Sequence, residues 1–206
     1  MINKFEIVQP YIIGRRVLDV GCIGNQMNPE DFNKSLHALF RQVVKEIVGI
    51  DIQKDKVEKL QKLGWNIYYG DAENLKEVKD LQNQKFDVII ALELIEHLSN
   101  VGKFLEGVRE LLSNKGVLIL STPNPFCLKH IIGRGLLNKE SYICHEHVAW
   151  YDSLVLKQLL KRYGFKIRDV YFLPPVSGHP IDIISRIIYK ISKKLGGNDL
   201  LIICTL

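Results

Sequence analysis

Three aspartates come at the ends of short apolar runs, and their carboxylates suit the binding of hydroxyl and amine groups. Asp19, Asp51 and Asp71 each follow or close a run of residues typical of a buried β-strand. If these strands are parallel, their carboxyl ends meet at one edge of a sheet, where open α/β sheets bind ligands. An ionised carboxylate accepts hydrogen bonds from hydroxyls and amines. The spacing therefore predicts a nucleoside-binding site at that edge.

Glycines accompany these aspartates. Gly21 and Gly24 follow the first aspartate, Gly49 precedes the second by two residues, and Gly70 directly precedes the third. Glycine lets the backbone approach a ligand closely and adopt a positive φ. A simpler interpretation makes each aspartate a solvated strand end or a helix cap. That interpretation does not explain why all three aspartates follow apolar runs.

Strand-like and helix-like patterns alternate along the chain, which predicts an α/β fold with a parallel sheet. The strand-like runs are 17–20, 46–51, 66–71, 86–93, 116–121, 165–172 and 200–205. Helical patterns cover 36–44, 57–63, 75–81, 101–112 and 153–163. The first helix begins late after the glycine turn, so we expect an extra loop over the ligand-binding edge.

Composition favours one cytoplasmic domain over residues 1–206. The 206-residue length suits a single α/β unit, and 47% hydrophobic with 25% charged residues is ordinary for a globular chain. A net charge of +5 does not by itself indicate nucleic-acid binding. We find no leader pattern and no apolar run near the ~20 residues that span a bilayer. The cysteines lack the paired spacing of a disulfide framework or zinc ribbon: Cys22, Cys127, Cys144 and Cys204.

The strand-end motifs resemble those of class I S-adenosylmethionine-dependent methyltransferases, including the ubiquinone-biosynthesis type of O-methyltransferase. The resemblance extends from about residue 16 to 172 and is carried by 19–22, 49–51, 70–73 and 86–93. It implies a Rossmann-like, doubly wound α/β fold with helices on both faces. The implied sheet has seven strands and is mostly parallel, with an antiparallel last strand. The implied cofactor is S-adenosylmethionine.

The resemblance also implies where each part of the cofactor binds. The turn 19–24 would lie under the methionine half, and Asp51 would bind both ribose hydroxyls. Asp71 would bind the adenine amine, and the segment 92–97 would lie beside the sulfonium. The expected cofactor-binding residues are Asp19, Gly21, Cys22, Gly24, Asp51, Ile52, Gly70, Asp71, Ala72, Glu73, Leu92, Glu93 and His97.

The glycine turn departs from the family pattern, D-x-G-x-G-x-G. Ile23 and Asn25 occupy the second and third glycine positions. Asparagine tolerates the left-handed backbone region, whereas isoleucine does not. We therefore expect a different local path for this turn. The departure is also the one feature in favour of a non-catalytic methyltransferase-like subunit.

An insertion at 123–147 is expected to form a lid over the acceptor, because long loops in compact domains usually bind ligands. It ends in Cys144-His145-Glu146-His147. The family resemblance makes His145 and His147 candidates for binding the acceptor or removing its proton. They could instead hydrogen-bond the lid backbone. A metal site is not predicted, because residues two apart point the same way only on a strand.

A second insertion, 174–198, contains isoleucines at helical spacing together with four basic residues. A basic amphipathic helix can lie on a membrane surface, here through 181–195, or against a partner. More commonly such a stripe packs on its own domain. We therefore expect Ile184 and Ile188 to be buried. The sequence does not predict an oligomeric state.

The predicted function is methyl transfer from S-adenosylmethionine to a small-molecule acceptor through an oxygen nucleophile. The amino-methylating branch carries an Asn/Asp-Pro-Pro-aromatic motif after the fourth strand, which residues 91–94 lack. An RNA or protein methyltransferase is an alternative, although no appended RNA-binding module supports it and no nucleic-acid partner is expected. Alignment of the reactants can supply roughly 7–11 kcal/mol. A general base is needed only if the acceptor arrives protonated.

Overall fold

The computed structural model describes residues 3–24, 27–138, 145–176 and 180–206, and it contains one seven-stranded sheet. The strand order is β3-β2-β1-β4-β5-β7-β6. β7 runs antiparallel to both of its neighbours, and the other pairs are parallel. This arrangement confirms the predicted fold. The strands are β1 Arg16–Val20, β2 Glu46–Asp51, β3 Ile67–Tyr69, β4 Phe86–Leu92, β5 Leu112–Pro123, β6 Lys166–Leu173 and β7 Asp199–Thr205.

Helices flank the sheet, and the first of them was not expected from the sequence. The helices are α1 Lys4–Ile12, α2 Leu36–Arg41, α3 Lys54–Lys62, α4 Val101–Leu111, α5 Leu128–His130, α6 Ser153–Arg162, α7 Pro180–Tyr189 and α8 Lys193–Gly196. Short 3₁₀ turns span Pro29–Lys34, Ala72–Glu77, Lys79–Leu81 and Ile95–His97, and α5 continues as a π-helical turn, Ile131–Leu136. None of the described helices is long and apolar enough to span a membrane.

The central strands are apolar on both faces because helices cover both sides. On one face, Phe104 of α4 and Leu160 of α6 pack over Leu18 and Ile89 of the sheet. On the other face, α1 and α2 contribute Val8 and Phe40, among others. Each of these side chains is fully buried, which stabilises the fold by roughly 1.5–3 kcal/mol per large apolar residue.

The sheet order places the strand-end aspartates together. β1 lies between β2 and β4, so the chain reverses its winding direction between β1 and β4. Such a switch point is where α/β sheets form a ligand crevice. In the register, Asp19 lies beside Gly49, and Asp51 lies beside Tyr69. The carboxyl ends of β1, β2 and β3 therefore form one continuous edge.

The expected burial of Ile184 is wrong, and that of Ile188 is only partial. In α7 the buried residues are polar, with Asp182 only 1% exposed, whereas Ile184 is 51% exposed. Ile188 is half-buried. The physical reason is the close approach of α8, because a Cβ on Gly196 would lie 2.5 Å from the Ser185 carbonyl oxygen. A small polar face permits this approach, and a face of isoleucines would not.

We expect Gly196→Ala to destabilise the protein by about 1–3 kcal/mol, because its new methyl group would overlap the backbone of α7. Gly135→Ala is the matched control, since a Cβ there meets nothing within 4 Å. Urea unfolding of the two variants and the wild type measures the difference. Equal stability of the two variants would contradict the proposed packing of α7 and α8.

Candidate functional site

One cavity of about 770 Å³ lies at the carboxyl ends of β1 to β4, and every residue expected to bind the cofactor lines it. This volume is typical of a small-molecule site. The cavity walls include four connections, the turn 19–24, the loop 51–53, the loop 70–73 and the turn 92–97, together with side chains of α1 and α2. The structure thus brings the expected residues together, while their role in binding stays a prediction.

The glycine turn after β1 is built without strain at Ile23. Gly21 has a φ of +74° and Gly24 a φ of +25°, which are backbone conformations that suit glycine. Among the described residues, the non-glycine residues with positive φ do not include Ile23. Its side chain is fully buried beside Phe32. The expectation of a different local path concerns Asn25 as well, and that residue lies outside the described residues.

Asp19 is held by a histidine that the sequence analysis missed. His37 Nδ1 lies 2.9 Å from Asp19 Oδ2, and both side chains are buried. A Cβ on Gly49 would lie 2.7 Å from Cys22 Sγ and 3.1 Å from His37 Cε1. Glycine at position 49 therefore makes room for both side chains. Burial, with repulsion from Asp19 and Asp51, raises the pKa of the Cys22 thiol well above its ordinary value, so the thiol stays protonated.

Asp51 joins two of the connections that form the cavity. Its Oδ2 accepts the Ile23 N–H at 2.9 Å, and its Oδ1 accepts the Gln53 N–H at 3.0 Å and the Gln53 side-chain amide at 3.2 Å. An ionised carboxylate offers about four acceptor positions. One position therefore stays open while Gln53 keeps its side-chain bond. The exposed Ile52 side chain lies next to this carboxylate and lines the cavity.

Asp71 and Glu73 link the third and fourth connections. Asp71 Oδ1 accepts the Glu73 N–H at 2.8 Å, and its Oδ2 accepts the Asn74 side-chain amide at 2.8 Å. Glu73 Oε1 accepts the Ser99 N–H at 2.7 Å. Asp71 is therefore a helix cap as well as a cavity residue, so the simpler interpretation is confirmed for it, while its role in ligand binding stays a prediction.

Lys4 is a further residue that the sequence analysis missed. Its Nζ lies 2.9 Å from Glu93 Oε1 and 3.0 Å from Asp199 Oδ2. Although burial lowers it, the pKa of Lys4 is raised above its ordinary value by these two carboxylates, so the lysine stays charged. Lys4 precedes every strand-end motif, and the signal that could have located its helix is the capping box of Asn3 and Glu6.

Glu93 has a left-handed backbone, with a φ of +51°. Such a conformation is uncommon for a residue other than glycine. Ser121 stabilises it, because Ser121 Oγ donates to Glu93 Oε1 at 2.6 Å and the Glu93 N–H donates to the Ser121 carbonyl at 3.0 Å. The turn after β4 is therefore fixed from the neighbouring strand β5.

The titratable side chains of Glu96, His97 and His147 lie close together. The rings of His97 and His147 pack edge-to-face with centroids 4.6 Å apart, and His147 Nε2 lies 4.0 Å from Glu96 Oε1. One ligand atom of each lies within 4.8 Å of the others, a separation that a shared cation could bridge. Neither Glu96 carboxylate oxygen has a hydrogen-bond partner among the described residues.

The environment of these groups shifts their pKa values. Burial, followed by repulsion from Glu93, raises the pKa of Glu96 to about 8. Burial and the neighbouring His97 lower the pKa of His147, which Glu146 partly offsets. At neutral pH, His147 is therefore a neutral imidazole beside a protonated carboxyl group.

A smaller cavity of about 170 Å³ lies on the other side of His147. It is lined by Pro123, Lys129, His130, His147, Trp150, Asn198 and Asp199. His130 Nδ1 and Asn198 Oδ1 have no hydrogen-bond partner among the described residues. Burial, followed by repulsion from Lys129 and Arg134, lowers the pKa of His130 to about 4. The sequence analysis did not single out His130.

The two candidate catalytic histidines lie in different surroundings. His147 lines the smaller cavity and contacts His97 of the larger one. His145 is exposed and is absent from the lining of both cavities. Cys144, the first residue of this cluster, lies outside the described residues.

The raised pKa of Glu96 makes the stability of the protein depend on pH. The folded state holds this proton to about pH 8, whereas the ordinary pKa is 4.5. The unfolded chain therefore loses the proton first, and stability should fall by roughly a few kcal/mol as pH rises between these values. We expect Glu96→Gln to remove this fall and Glu106→Gln, at an exposed site, to retain it. Urea unfolding at both ends of the range measures it, and an equal fall in Glu96→Gln would contradict the assignment.

A family model described as a methyltransferase domain matches residues 12–170. The chain is 30% identical over 117 residues to a ubiquinone biosynthesis O-methyltransferase of Azorhizobium caulinodans, covering 54% of this chain and 41% of that protein. The relative from Rickettsia bellii (strain OSU 85-389) is 27% identical over 144 residues, which cover 65% of this chain and 52% of that protein. The chain thus spans about half the length of the curated relatives that it matches.

Solved structures show the same fold. An S-adenosylmethionine-dependent methyltransferase from Archaeoglobus fulgidus superposes with a TM-score of 0.66 and 24% identity, over 99% of this chain and 95% of that one. A magnesium protoporphyrin IX methyltransferase from Synechocystis PCC 6803, solved with bound S-adenosylhomocysteine (SAH), gives 0.57 and 17%, over 97% and 77% of the two chains. These matches confirm the fold predicted from the sequence.

Proposed function

This chain belongs to the methyltransferase domain family. We propose that it is an S-adenosylmethionine-dependent enzyme that methylates an oxygen atom of a small-molecule acceptor. The observation that carries the proposal is that the packed rings of His97 and His147 each line a different one of two neighbouring cavities. The larger cavity has the volume and the polar edge for the donor. The relatives named O-methyltransferases support oxygen as the attacking atom.

The adenosine half of the donor fits the loops after β2 and β3. Asp51 would bind the ribose hydroxyls, and Gln53 would give up its 3.2 Å side-chain bond so that both hydroxyls find an acceptor. Ile52 would contact one face of the adenine ring, because its exposed side chain lines the cavity. Asp71 would accept a hydrogen bond from the adenine amine, with Ala72 and Glu73 beside the ring.

The charge of the larger cavity suits a cationic ligand. Six carboxylates line it: Asp19, Asp51, Asp71, Glu73, Glu93 and Glu146. Lys4 is the sole lysine or arginine among the described residues that do so. The donor carries a sulfonium and an ammonium group against one carboxylate, and the product loses the sulfonium charge. The cavity therefore favours the donor over its product, which assists product release.

The acceptor would enter through the smaller cavity, so that its hydroxyl meets the methyl group near His97. A neutral imidazole can accept a proton, and the lowered pKa of His147 keeps it neutral at the working pH. Glu96 would position His147 from its buried side, 4.0 Å away. His130 and Asn198 offer polar atoms for the remainder of the acceptor.

The alternative of a non-catalytic subunit is less well supported at one of the two positions on which it relied, Ile23 and Asn25. The described backbone accommodates Ile23 with a buried side chain and an N–H bonded to Asp51, whereas Asn25 lies outside the described residues. The turn is therefore formed by other means than the family's repeated glycines.

Asp51→Asn should weaken the binding of both S-adenosylmethionine and its demethylated product. The change keeps the shape of the side chain but removes charge-assisted hydrogen bonds, each worth roughly 1.5–3 kcal/mol. Asp55→Asn, at an exposed position on α3, is the control. Calorimetric titration measures the dissociation constants, with thermal unfolding as a check on folding. An unchanged affinity in Asp51→Asn would refute the ribose assignment.

His147→Ala should slow methyl transfer by about 10²–10⁴-fold while leaving donor affinity unchanged. His145→Ala, two residues away and exposed, should retain full activity. Transfer of labelled methyl groups to a panel of hydroxylated small molecules measures turnover, and donor titration measures affinity. Full turnover in His147→Ala, or an equal loss in His145→Ala, would remove His147 from the proposed mechanism.

A further inference from the structure

Helix α7 exposes three of its isoleucines although it packs against α5 and α8. Ile183, Ile184 and Ile187 are each more than half exposed, and Ile191 follows them at 88% exposure. The inner face is held by polar contacts, including the Tyr189 hydroxyl, which donates to the Phe172 carbonyl at 2.6 Å. The orientation of α7 is therefore fixed by its polar side, and its apolar side faces outward.

A second exposed apolar segment adjoins this helix. It runs from Phe126 through α5 to the end of the π-helical turn, and α5 contacts α7. Lys194 Nζ of α8 lies 4.6 Å from the centre of the Phe126 ring. The exposed apolar residues of this second segment are Phe126, Ile131, Leu136 and Leu137. We call the described residues of 126–138 and 176–194 together the apolar-basic surface.

Exposed apolar side chains are concentrated on the apolar-basic surface. It holds nine of the seventeen large apolar residues that the described chain exposes, counting Val176. Single exposed apolar residues are ordinary, whereas a concentration of them marks an interaction site. The concentration is thus a property of this region rather than of the whole molecule.

The charges of the apolar-basic surface have one sign. Its described part contains six basic residues: Lys129, Arg134, Arg186, Lys190, Lys193 and Lys194. Its one acidic residue, Asp182, is 1% exposed and faces inward. Four of the six are exposed, and they lie on the same surface as the exposed apolar side chains, with no exposed carboxylate in its described part: Arg134, Lys190, Lys193 and Lys194.

We propose that the apolar-basic surface docks on an anionic lipid surface, with α7 lying in the lipid–water interface. Basic amphipathic helices bind in this way, through buried apolar area and attraction to anionic headgroups. A protein partner fits less well, because lysine is depleted at protein–protein interfaces. The proposal does not depend on the identity of the methyl acceptor.

Sedimentation of the full chain with vesicles tests the proposal. We expect binding to phosphatidylcholine mixed with phosphatidylglycerol at about two to one, little binding to phosphatidylcholine alone, and weaker binding at high salt. Ile187→Ser should weaken binding by about tenfold or more, because a buried isoleucine is lost from the lipid contact. Each change of Lys190, Lys193 or Lys194 to Gln should weaken binding about fivefold.

Leu63→Ser is the matched control, because Leu63 and Ile187 are both 61% exposed and Leu63 lies at the end of α3. It should bind vesicles as the wild type does, and both variants should keep the wild-type melting temperature. No sedimentation of the wild type with the mixed vesicles would overturn the proposal. So would equal losses in the two variants, or self-association that Ile187→Ser abolishes without any lipid binding, since the surface would then join two copies of the chain.

Discussion

The hydrogen bond from the Ile23 N–H to the Asp51 carboxylate is the interaction on which the candidate site depends. It joins the turn after β1 to the loop after β2, at 2.9 Å and in a buried position. Glu73 makes the corresponding link between the loop after β3 and Ser99 beyond β4. The acidic residues thus build the cavity that they also line. A cavity formed in advance of its ligand spends less of the binding energy on ordering loops.

Side chains of helices α1 and α2 offset the repulsion between the carboxylates at this edge of the sheet. Carboxylates gathered at one sheet edge repel one another, and burial makes the repulsion stronger. His37 of α2 meets Asp19, and Lys4 of α1 lies between Glu93 and Asp199. Glu96 has no such partner among the described residues, and its raised pKa leaves it protonated. Asp19 and Glu93 in the cavity thus contact a histidine and a lysine, whereas Asp51 and Asp71 accept hydrogen bonds from N–H groups where a cationic donor would lie.

The sequence predicts the sheet and its edge because both follow from local patterns. Buried parallel strands read as apolar runs, and the aspartates that end them, such as Asp51, mark the edge. The sequence did not predict that Lys4 and His37 belong to the site. Both lie on helices, and their place in the site depends on how those helices pack. The orientation of α7 could not be predicted from local patterns for a similar reason. Periodicity locates an apolar stripe, but it was the contact at Gly196 that decided which face is covered.

The placement of α7 also connects the exposed surface with the acceptor side of the site. Lys129 and His130 line the smaller cavity, and they belong to the segment whose exposed members include Phe126 and Ile131. Asn198, another lining residue, donates to Asp182 on the inner face of α7 at 3.5 Å. Contact of the apolar-basic surface with lipid would therefore bear on elements that also shape the smaller cavity. An acceptor whose apolar part stays in the lipid would then present its polar end to His147 from the side of the smaller cavity. Its apolar part would not need to cross water.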